Sequence, residues 1–520
     1  MGIKNKKIGI WGFGKVGKSI IRYFIDKSIN CEDIKLEILD QRKLTDQELE
    51  FLEKNNIKYT HYTHTSDTIA AFLEHNDIIV PSPGIDINPY EKNYKKHKHK
   101  FISELYLFQE EINKITPKMP VIGVTGSVGK TTIVSLLDQI LKLQDVNVWT
   151  GGNIGTPLLD IFIDTSPKKN TPELALFELS SFQLENSKNF APDLAIWTNF
   201  YPNHLDRHCD MESYFLAKAN IIANQSCALL PFNIIKELKA HNILSNTSNT
   251  CNTGNTGKLY FFSEHKPTQK ELQILDPETV LFYLDSNSVK SIKIVQVKNT
   301  SYGSGLDTSE VVSTIGNVGQ WGEWAQFTFR ENLLILFSSM YILGLKVYKR
   351  KVLSDLVFSQ KININETYNK HLAHRLEKIA TIEGVTFYND SKATTGASTL
   401  AAIKKLHSEK DNNSNIILLL GGLSKGVDRA PLIKEIKDYT KQIISFGKEA
   451  QILRNMCQKE EVGCKSFDTL EKTIKAAFAQ ATKGDIILLS PAGSSFDLFQ
   501  DYQARGERFK EIVLQIPKSK

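Results

Sequence analysis

The sequence predicts an α/β protein of three units, each built on a largely parallel sheet, and three observations carry the prediction. Short β-branched runs alternate with helix-length segments along most of the chain, the pattern of strands joined by crossover helices. The alternation begins afresh after Thr116-Pro117 and Pro120, and again near Gly384. A glycine-rich loop follows the first strand of the first unit and the first strand of the second. The 520 residues suffice for about three to five domains. The breaks predict domains at 1–116, 117–369 and 370–520.

Composition narrows the class. Residues AVILMFWYC make up 41% and charged residues 23%, which supplies several cores and excludes global disorder. The 64 Lys+Arg against 58 Asp+Glu leave +6, a mild attraction for anionic metabolites and too small an excess to argue for nucleic acid. The cysteines (Cys31, Cys209, Cys227, Cys251, Cys457, Cys464) form no CxxC pair, which argues against a disulfide scaffold or Cys-rich zinc site and fits a reducing cytoplasm. The longest apolar stretch, Leu333–Leu345, is short and broken by Ser338 and Ser339, so no membrane span is expected. The basic start Lys4–Lys7 runs into Ile8–Ile10 and reads as a first strand rather than a signal peptide.

In the first unit, Ile8–Trp11 is a strand, Gly12-Phe13-Gly14-Lys15-Val16-Gly17 a loop, and Ser19–Ile25 an amphipathic helix. Glycines there permit a tight turn and leave helix N–H groups to meet a phosphate. Leu36–Leu39 ends at Asp40, placed to accept hydrogen bonds from a ribose or uracil, and Ile78–Val80 ends in Pro81-Ser82-Pro83-Gly84. Taken alone, the loop suits a dinucleotide cofactor, another nucleotide or tight packing. The run Lys95–Lys100 reads as a solvated helix end or loop face in preference to a metal or anion patch.

The second unit opens with Val121–Val124 and the loop Gly123–Thr132. The first glycine of a strict GxxxxGK would fall at Val124, yet the loop still offers successive N–H groups through Gly126, Ser127 and Gly129. Lys130 is available for the β/γ-phosphates, and Thr131 and Thr132 supply hydroxyls for phosphate and Mg²⁺. Two nucleotide sites favour an ATP-driven enzyme acting on a nucleotide-tagged substrate. Ala175–Leu179 is a strand carrying Glu178, followed by Ser180 through Glu185; Ile196–Asn199 is a strand end followed by Asn203 through His208. Glu178 and His204 each follow a strand and can converge near the phosphates as ligands for Mg²⁺ or Mn²⁺, although His204 taken alone reads more readily as a satisfied loop histidine. The Asn/Thr/Gly-rich segment Leu244–Lys258 reads as a disordered surface insert. In the third unit Val385–Tyr388, Ile416–Leu420 and Ile486–Leu489 read as strands.

The order of these segments resembles the Mur ligases of peptidoglycan synthesis. The resemblance rests on the first glycine loop, Ser82-Pro83-Gly84-Ile85, the TGxxGKTT loop, Gly152-Asn153-Ile154-Gly155, ELSSFQLE at 178–185, HLDRH at 204–208 and Tyr214 with Lys218. It continues through His374-Arg375-Leu376-Glu377, NDSKAT at 389–394, Leu420-Gly421-Gly422 with Lys425-Gly426 and Asp428, and Leu489-Ser490-Pro491-Ala492. Only about residues 230–310 fall outside it. ELSSFQLE together with NDSKAT is similar to the members that add D-glutamate to UDP-N-acetylmuramoyl-L-alanine. This sequence departs from the usual pattern at Ser127-Val128, Asn203, Glu331, Thr395 and Gly493.

The resemblance implies a Rossmann-like N-terminal domain for UDP, a central P-loop ATPase-like domain and a Rossmann-like C-terminal domain that closes over the amino acid. The implied reaction is attack of a carboxylate on the γ-phosphate of ATP, giving an acyl phosphate from which the D-glutamate amine displaces phosphate. Lys130, Glu178, His204 and a carbamylated Lys218 are the implied catalytic set. Thr131 and Glu178 hold one Mg²⁺, with His204 and Lys218 at a second site and Mn²⁺ as an alternative ion. ATP is further assigned Gly126, Ser127, Gly129, Thr132, Asn332, Arg375 and Asp390. The UDP-substrate is assigned Gly14, Lys15, Val16, Asp40, Ser82, Gly84, Asn153 and Ser180, and D-glutamate Lys392, Ser495 and Tyr502. The implied enzyme is a cytoplasmic monomer with no nucleic-acid or membrane partner. Another Mur-type ligase or a folylpolyglutamate synthase is the alternative within the class; the latter lacks the first unit. A nicotinamide dehydrogenase built on residues 12–40 leaves Lys130, Glu178 and Lys392 unexplained, and a non-catalytic nucleotide-binding relative is the third reading.

Overall fold

The computed structural model describes residues 5–517 except 27–33, 64–65, 154, 164–171, 226, 244–257, 273, 276–278, 285–290, 297–312, 318–329, 345–372 and 410–414. Among the described residues there are three sheets. The first contains β1 (Lys6–Trp11), β2 (Ile34–Asp40), β3 (Lys58–His61) and β4 (Ile78–Pro81), all parallel in the order β3-β2-β1-β4. The second contains β5 (Val121–Thr125), β6 (Val148–Gly152), β7 (Leu174–Glu178), β8 (Leu194–Trp197), β9 (Cys227–Pro231), β10 (Lys258–Ser263), β11 (Val280–Leu284), β12 (Ser291–Gln296) and β13 (Ser313–Asn317). Its order is β13-β12-β11-β10-β9-β8-β5-β7-β6, and only the β11-β12-β13 edge is antiparallel. The third contains β14 (Glu377–Ile382), β15 (Val385–Asn389), β16 (Ile416–Gly421), β17 (Thr440–Phe446), β18 (Cys464–Phe467) and β19 (Ile486–Leu489), ordered β14-β15-β19-β16-β17-β18 with β14 antiparallel.

The central strands are buried along their whole length, as in the LALFE run of β7 and the IILLLG run of β16. Continuous apolar runs of this kind belong to parallel sheets covered on both faces. In the third sheet the two-residue period separates two cores. Phe387, Leu419, Ile444 and Ile487 pack with Phe509 on one face; Leu418, Leu420, Ile443 and Leu488 pack with Ile403 and Leu453 on the other.

Strand order then places the loops. In each parallel sheet the chain winds one way from its first strand and returns to add a later strand on the other side. The break lies between β1 and β4, between β5 and β8, and around β19 between β15 and β16. Ligands of open α/β sheets bind beyond the carboxyl ends of strands at such breaks, and the two glycine loops follow β1 and β5.

The chain forms two compact units: the first two sheets share one, and the third sheet forms the other together with residues 200–211. Within the first unit, Asp160 accepts a hydrogen bond from the Ser19 hydroxyl at 2.5 Å and from the Arg22 guanidinium at 2.9 and 3.0 Å. Residues 200–211, which the sequence places in the middle domain, pack with the third sheet through backbone. The Asp206 N–H donates to the Lys425 carbonyl at 3.0 Å. Gly426, at φ +74°, admits that approach, since a Cβ there would lie 2.9 Å from the Asp206 nitrogen.

One local expectation changes and another lies beyond what the structure describes. The polar insert lies outside the described residues except Lys258, which starts β10. The lysine run at 95–100 is a helix end, as predicted, but not wholly solvated. His97 is buried, and the Lys100 ammonium donates to the carbonyls of Leu73 and Asn76 at 2.8 and 2.9 Å. Among the described residues no helix is long and apolar enough to cross a membrane. Most of the longest apolar stretch lies in the helix Arg330–Ile342, where Leu333–Phe337 are buried.

Candidate active site

At the first loop, Gly12 has φ +101°, and Gly17 lies so close beneath it that a Cβ would come 2.1 Å from the Gly12 carbonyl oxygen. Helix α1 (Lys15–Asp26) therefore starts hard against β1 and presents Lys15 and Val16 in its first turn. The Ser82 hydroxyl donates to the Gly12 carbonyl at 2.9 Å, tying the β4 end to the loop. Nothing lies within 4 Å of the Cβ positions of Gly14 and Gly84, so both present open backbone. The Asp40 carboxylate accepts from the Phe13 and Arg42 N–H groups at 2.5 and 2.6 Å. Its visible role is to fix the loop, a use that the expected sugar or base contact did not anticipate.

The second loop wraps the start of α3 (Lys130–Leu143), with α2 (Glu104–Ile112) preceding it in the chain. Gly126 at φ +147° packs on Thr198, where a Cβ would sit 2.0 Å from the hydroxyl oxygen, and Gly129 at φ +81° caps the helix. The end of β8 shapes the loop: the Val128 N–H donates to the Asn199 side chain at 2.9 Å, and the Thr198 hydroxyl donates to the Val128 carbonyl at 2.6 Å. Asn332 packs against the loop, its Oδ1 lying 3.2 Å from where a Gly129 Cβ would be. Thr131 and Thr132 occupy the first turn of α3.

Beneath this loop lies Lys218, at the end of α5 (Met211–Ala219), with α4 (Ser181–Leu184) between it and α3 in the chain. Its side chain is 1% exposed, and its amine donates to the Gly126 carbonyl at 3.0 Å and approaches the Thr125 hydroxyl at 3.4 Å. Burial, reinforced by the charge of Lys130 and opposed by Glu178, pushes the ammonium well below its ordinary value. The Tyr214 hydroxyl lies 3.1 Å from that of Ser127 and walls the amine in.

Glu178, at the end of β7, is 2% exposed. One carboxylate oxygen accepts from the Asn153 amide at 2.9 Å; the other, Oε2, is buried with no hydrogen-bond partner. An orphaned, buried carboxyl oxygen beside the second glycine loop fits a divalent cation. Ser180 makes a reciprocal cap with Gln183 at the start of α4. Among the described residues, no three His, Cys, Asp or Glu side chains form a metal cluster. The structure thus gathers Lys130, Thr131, Glu178 and Lys218 in the first unit. His204, at φ +57° in the 200–211 segment, belongs to the second.

In the second unit, the ends of β15, β19 and β16 carry the remaining candidates. Asp390 accepts from the Leu376 N–H at 3.1 Å and the Ser490 hydroxyl at 2.8 Å, and burial raises its pKa to about 7. The carboxyl therefore braces the turn that carries Arg375. The Lys392 ammonium bonds the Tyr502 hydroxyl at 3.0 Å and lies 4.5 Å from the centre of its ring. Tyr502 starts the last helix, Tyr502–Leu514, and Ser495 is buried nearby in sequence.

Sequence reasoning missed several supports. Arg505 is fully buried, bonding the Ser391 hydroxyl and carbonyl at 2.9 and 2.7 Å and the Gly493 carbonyl at 3.1 Å. Its signal was present: it falls in the i, i+4, i+7 stripe with Phe509 and Ile512. Lys425, named in the sequence only as part of the resemblance and without a role, approaches Thr394 and Asn203, each at 3.5 Å. Thr198 and Asn199 follow β8, a predicted strand end, yet nothing in their spacing assigned them to the phosphate loop.

Three comparisons bear on this arrangement. Family models described as MurD N-terminal domain, Mur ligase middle domain, and Mur ligase, glutamate ligase domain match residues 7–91, 124–283 and 374–493. The chain is 30% identical over 502 residues to the UDP-N-acetylmuramoylalanine–D-glutamate ligase of Pseudothermotoga lettingae, covering 95% of this chain and 97% of that one. It is 29% identical over 524 residues to the protein of the same name from Clostridioides difficile, covering 99% of each. Among solved structures, MurF from Acinetobacter baumannii is similar in fold, with TM-score 0.50 and 13% identity over 94% of this chain and 88% of that one.

Proposed function

The chain belongs to the Mur ligase family, and from that premise we propose how its residues carry out the reaction. It is an ATP-dependent, ADP-forming ligase that adds D-glutamate to UDP-N-acetylmuramoyl-L-alanine in peptidoglycan synthesis. The UDP end docks at the open backbone of Gly14, Lys15, Val16 and Gly84, with Ser82 and Asp40 holding the loop in shape. Asn153 and Ser180 orient the muramoyl-alanine end. The substrate carboxylate attacks the γ-phosphate of ATP, ADP leaves, and the D-glutamate amine displaces phosphate from the acyl phosphate.

Phosphoryl transfer gains mainly from positioning and charge neutralisation. Gly126, Ser127, Gly129 and Thr132 cradle the phosphates, Lys130 neutralises developing charge, and Asn332, Arg375 and Asp390 fix the rest of the nucleotide. Mg²⁺, with Mn²⁺ as an alternative, would be held at two sites by Thr131, Glu178, His204 and carbamylated Lys218. When bound, it screens charge on the phosphate oxygens. Lys392, Ser495 and Tyr502 hold the D-glutamate carboxylates. The enzyme acts as a monomer in the cytoplasm.

The observation that carries this reading is the buried amine of Lys218 beneath the second glycine loop, in the same unit as the unpartnered oxygen of Glu178, whose charge it feels. Charged, it would bury a second cation beside Lys130 at a cost of several kcal/mol. Neutral, it can take up CO₂ and offer anionic oxygens, which suit a hard cation better than nitrogen does. The deciding experiment is phosphate release from ATP. Release that requires both UDP-N-acetylmuramoyl-L-alanine and D-glutamate supports the reading; release that ignores either substrate refutes it.

A further inference from the structure

The loop that leaves β16 is held by a buried ion pair, Arg429 with Glu449, to which the proposed chemistry gives no part. Arg429 is 3% exposed. Its Nη1 donates to the carbonyls of Gly421 and Gly422 at 3.2 and 3.3 Å, and its Nη2 pairs with one oxygen of the Glu449 carboxylate. The other Glu449 oxygen accepts from the Ser424 N–H at 3.2 Å and the Ser424 hydroxyl at 3.3 Å. Both ends of Gly421–Ser424 are therefore fixed by two side chains from later in the chain. Lys425 follows directly. Its carbonyl accepts the Asp206 N–H at 3.0 Å, and its ammonium lies 3.5 Å from the Asn203 Oδ1, the oxygen that also accepts the His204 N–H at 3.0 Å.

Lys425 and His204 both stand in the left-handed region, at φ +55° and +57°. Residues other than glycine keep that conformation only where their surroundings over-determine it, and such residues cluster at functional sites. Here each of the two turns braces the other. A buried ion pair stabilises a fold little more than apolar side chains of the same volume would, so the contribution peculiar to Arg429 and Glu449 is the direction of the groups they bond. From this network we infer that Arg429 and Glu449 are positioning residues for the ligase reaction. They set the Gly421–Ser424 loop so that Lys425 holds the Asn203–Asp206 turn, and that turn presents His204. The inference rests on the metal-ligand role proposed for His204.

Amide hydrogen exchange and steady-state rates, both on the full chain, test it together. Arg429→Ala should quicken exchange over residues 200–211 by about tenfold or more, while the strands of the third sheet keep their rates. Its kcat should fall by about tenfold, the scale of losing a support behind a metal ligand, with KM for UDP-N-acetylmuramoyl-L-alanine unchanged. Guanidinium ion, far below denaturing concentration, should restore part of both. Gly426→Ala should reproduce both effects from the other side of the contact, because its Cβ would lie 2.9 Å from the Asp206 nitrogen. If Arg429→Ala loosens the whole third sheet, Glu449→Gln, at the more exposed end of the pair, takes its place with the same two readouts. Unchanged exchange over 200–211 would overturn the inference, as would faster exchange with kcat intact. An unaltered chain that turned over no substrate would refute the ligase reading instead, and exchange would then decide whether the pair holds the turn.

Discussion

The amines of Lys130 and Lys218 converge on one acceptor, the carbonyl oxygen of Gly126, at 2.8 and 3.0 Å. Lys130 belongs to the phosphate loop and is partly exposed, while Lys218 is enclosed. Two ammonium groups on a single neutral oxygen repel, and the buried one has the larger penalty for staying charged. Lys218 is therefore the partner more readily deprotonated, and its chemistry differs from that of a surface lysine.

Replacing that amine tests the idea. Lys218→Ala should lower turnover by about 100-fold or more, the scale of losing a charged group aimed at the transition state. Acetate should restore part of the activity by placing carboxylate oxygens in the vacated space. Lys218→Arg should not respond to acetate, because it keeps the charge and fills the site. Steady-state rates with and without acetate distinguish the three, and an unimpaired Ala variant would make Lys218 a bystander.

Amino-acid capture should separate from phosphoryl transfer. Lys392 is paired with Tyr502, and the proposed capture of D-glutamate by the two is tested by removing the amine. Lys392→Ala should raise KM for D-glutamate by roughly 10–100-fold, the worth of a charge-assisted hydrogen bond. Acyl phosphate formation from ATP and the UDP-substrate should survive in that variant and fail in Lys130→Ala. Trapping the acyl phosphate reads the difference, and equal loss in both variants would remove Lys392 from the D-glutamate site.

Stability should fall as pH rises through the neutral range. Glu104, at the start of α2, is fully buried; one oxygen accepts from the Leu159 N–H at 3.3 Å and the other has no partner. Burial raises its pKa from 4.5 to about 8, with the Asp160 carboxylate adding to the rise and the backbone bonds opposing it. Arg22 on Asp160 tempers that carboxylate. Between those two values the unfolded chain has lost the proton and the folded chain keeps it, so each pH unit lowers stability by about 1.4 kcal/mol. Asp390, raised from 3.8 to about 7, adds a parallel slope. Denaturant titrations at pH 5 and pH 8 should show Glu104→Gln gaining stability over the unaltered chain at the higher pH. An equal difference at both values would show that Glu104 ionises normally.

What could be read from the sequence was what local pattern dictates. Buried parallel strands are continuous apolar runs, so β5, β7, β16 and β19 were visible, and the glycines marked the loops that follow β1 and β5. Side chains whose partners come from distant strands were harder to read. Nothing in the spacing shows that Thr198 and Asn199 would shape the loop after β5, because that contact depends on β8 lying beside β5. The placement of residues 200–211 with the third sheet is made by backbone groups of Asp206 and Lys425, which leave no side-chain signature. Asp40, Ser180 and Asp390 were assigned outward contacts, yet their carboxyl and hydroxyl groups also hold their own turns. Arg505 was legible in principle, as a charge in an apolar stripe, but its role depends on Ser391 and Gly493 meeting it from far along the chain.

The most direct measurement of the central claim is ¹³C NMR of the enzyme equilibrated with ¹³C-bicarbonate. A carbamate on Lys218 predicts a bound carbonyl resonance in the unaltered enzyme that is absent from Lys218→Ala, with turnover falling as CO₂ is removed from the buffer. No such resonance, together with full turnover in CO₂-free buffer, would contradict it.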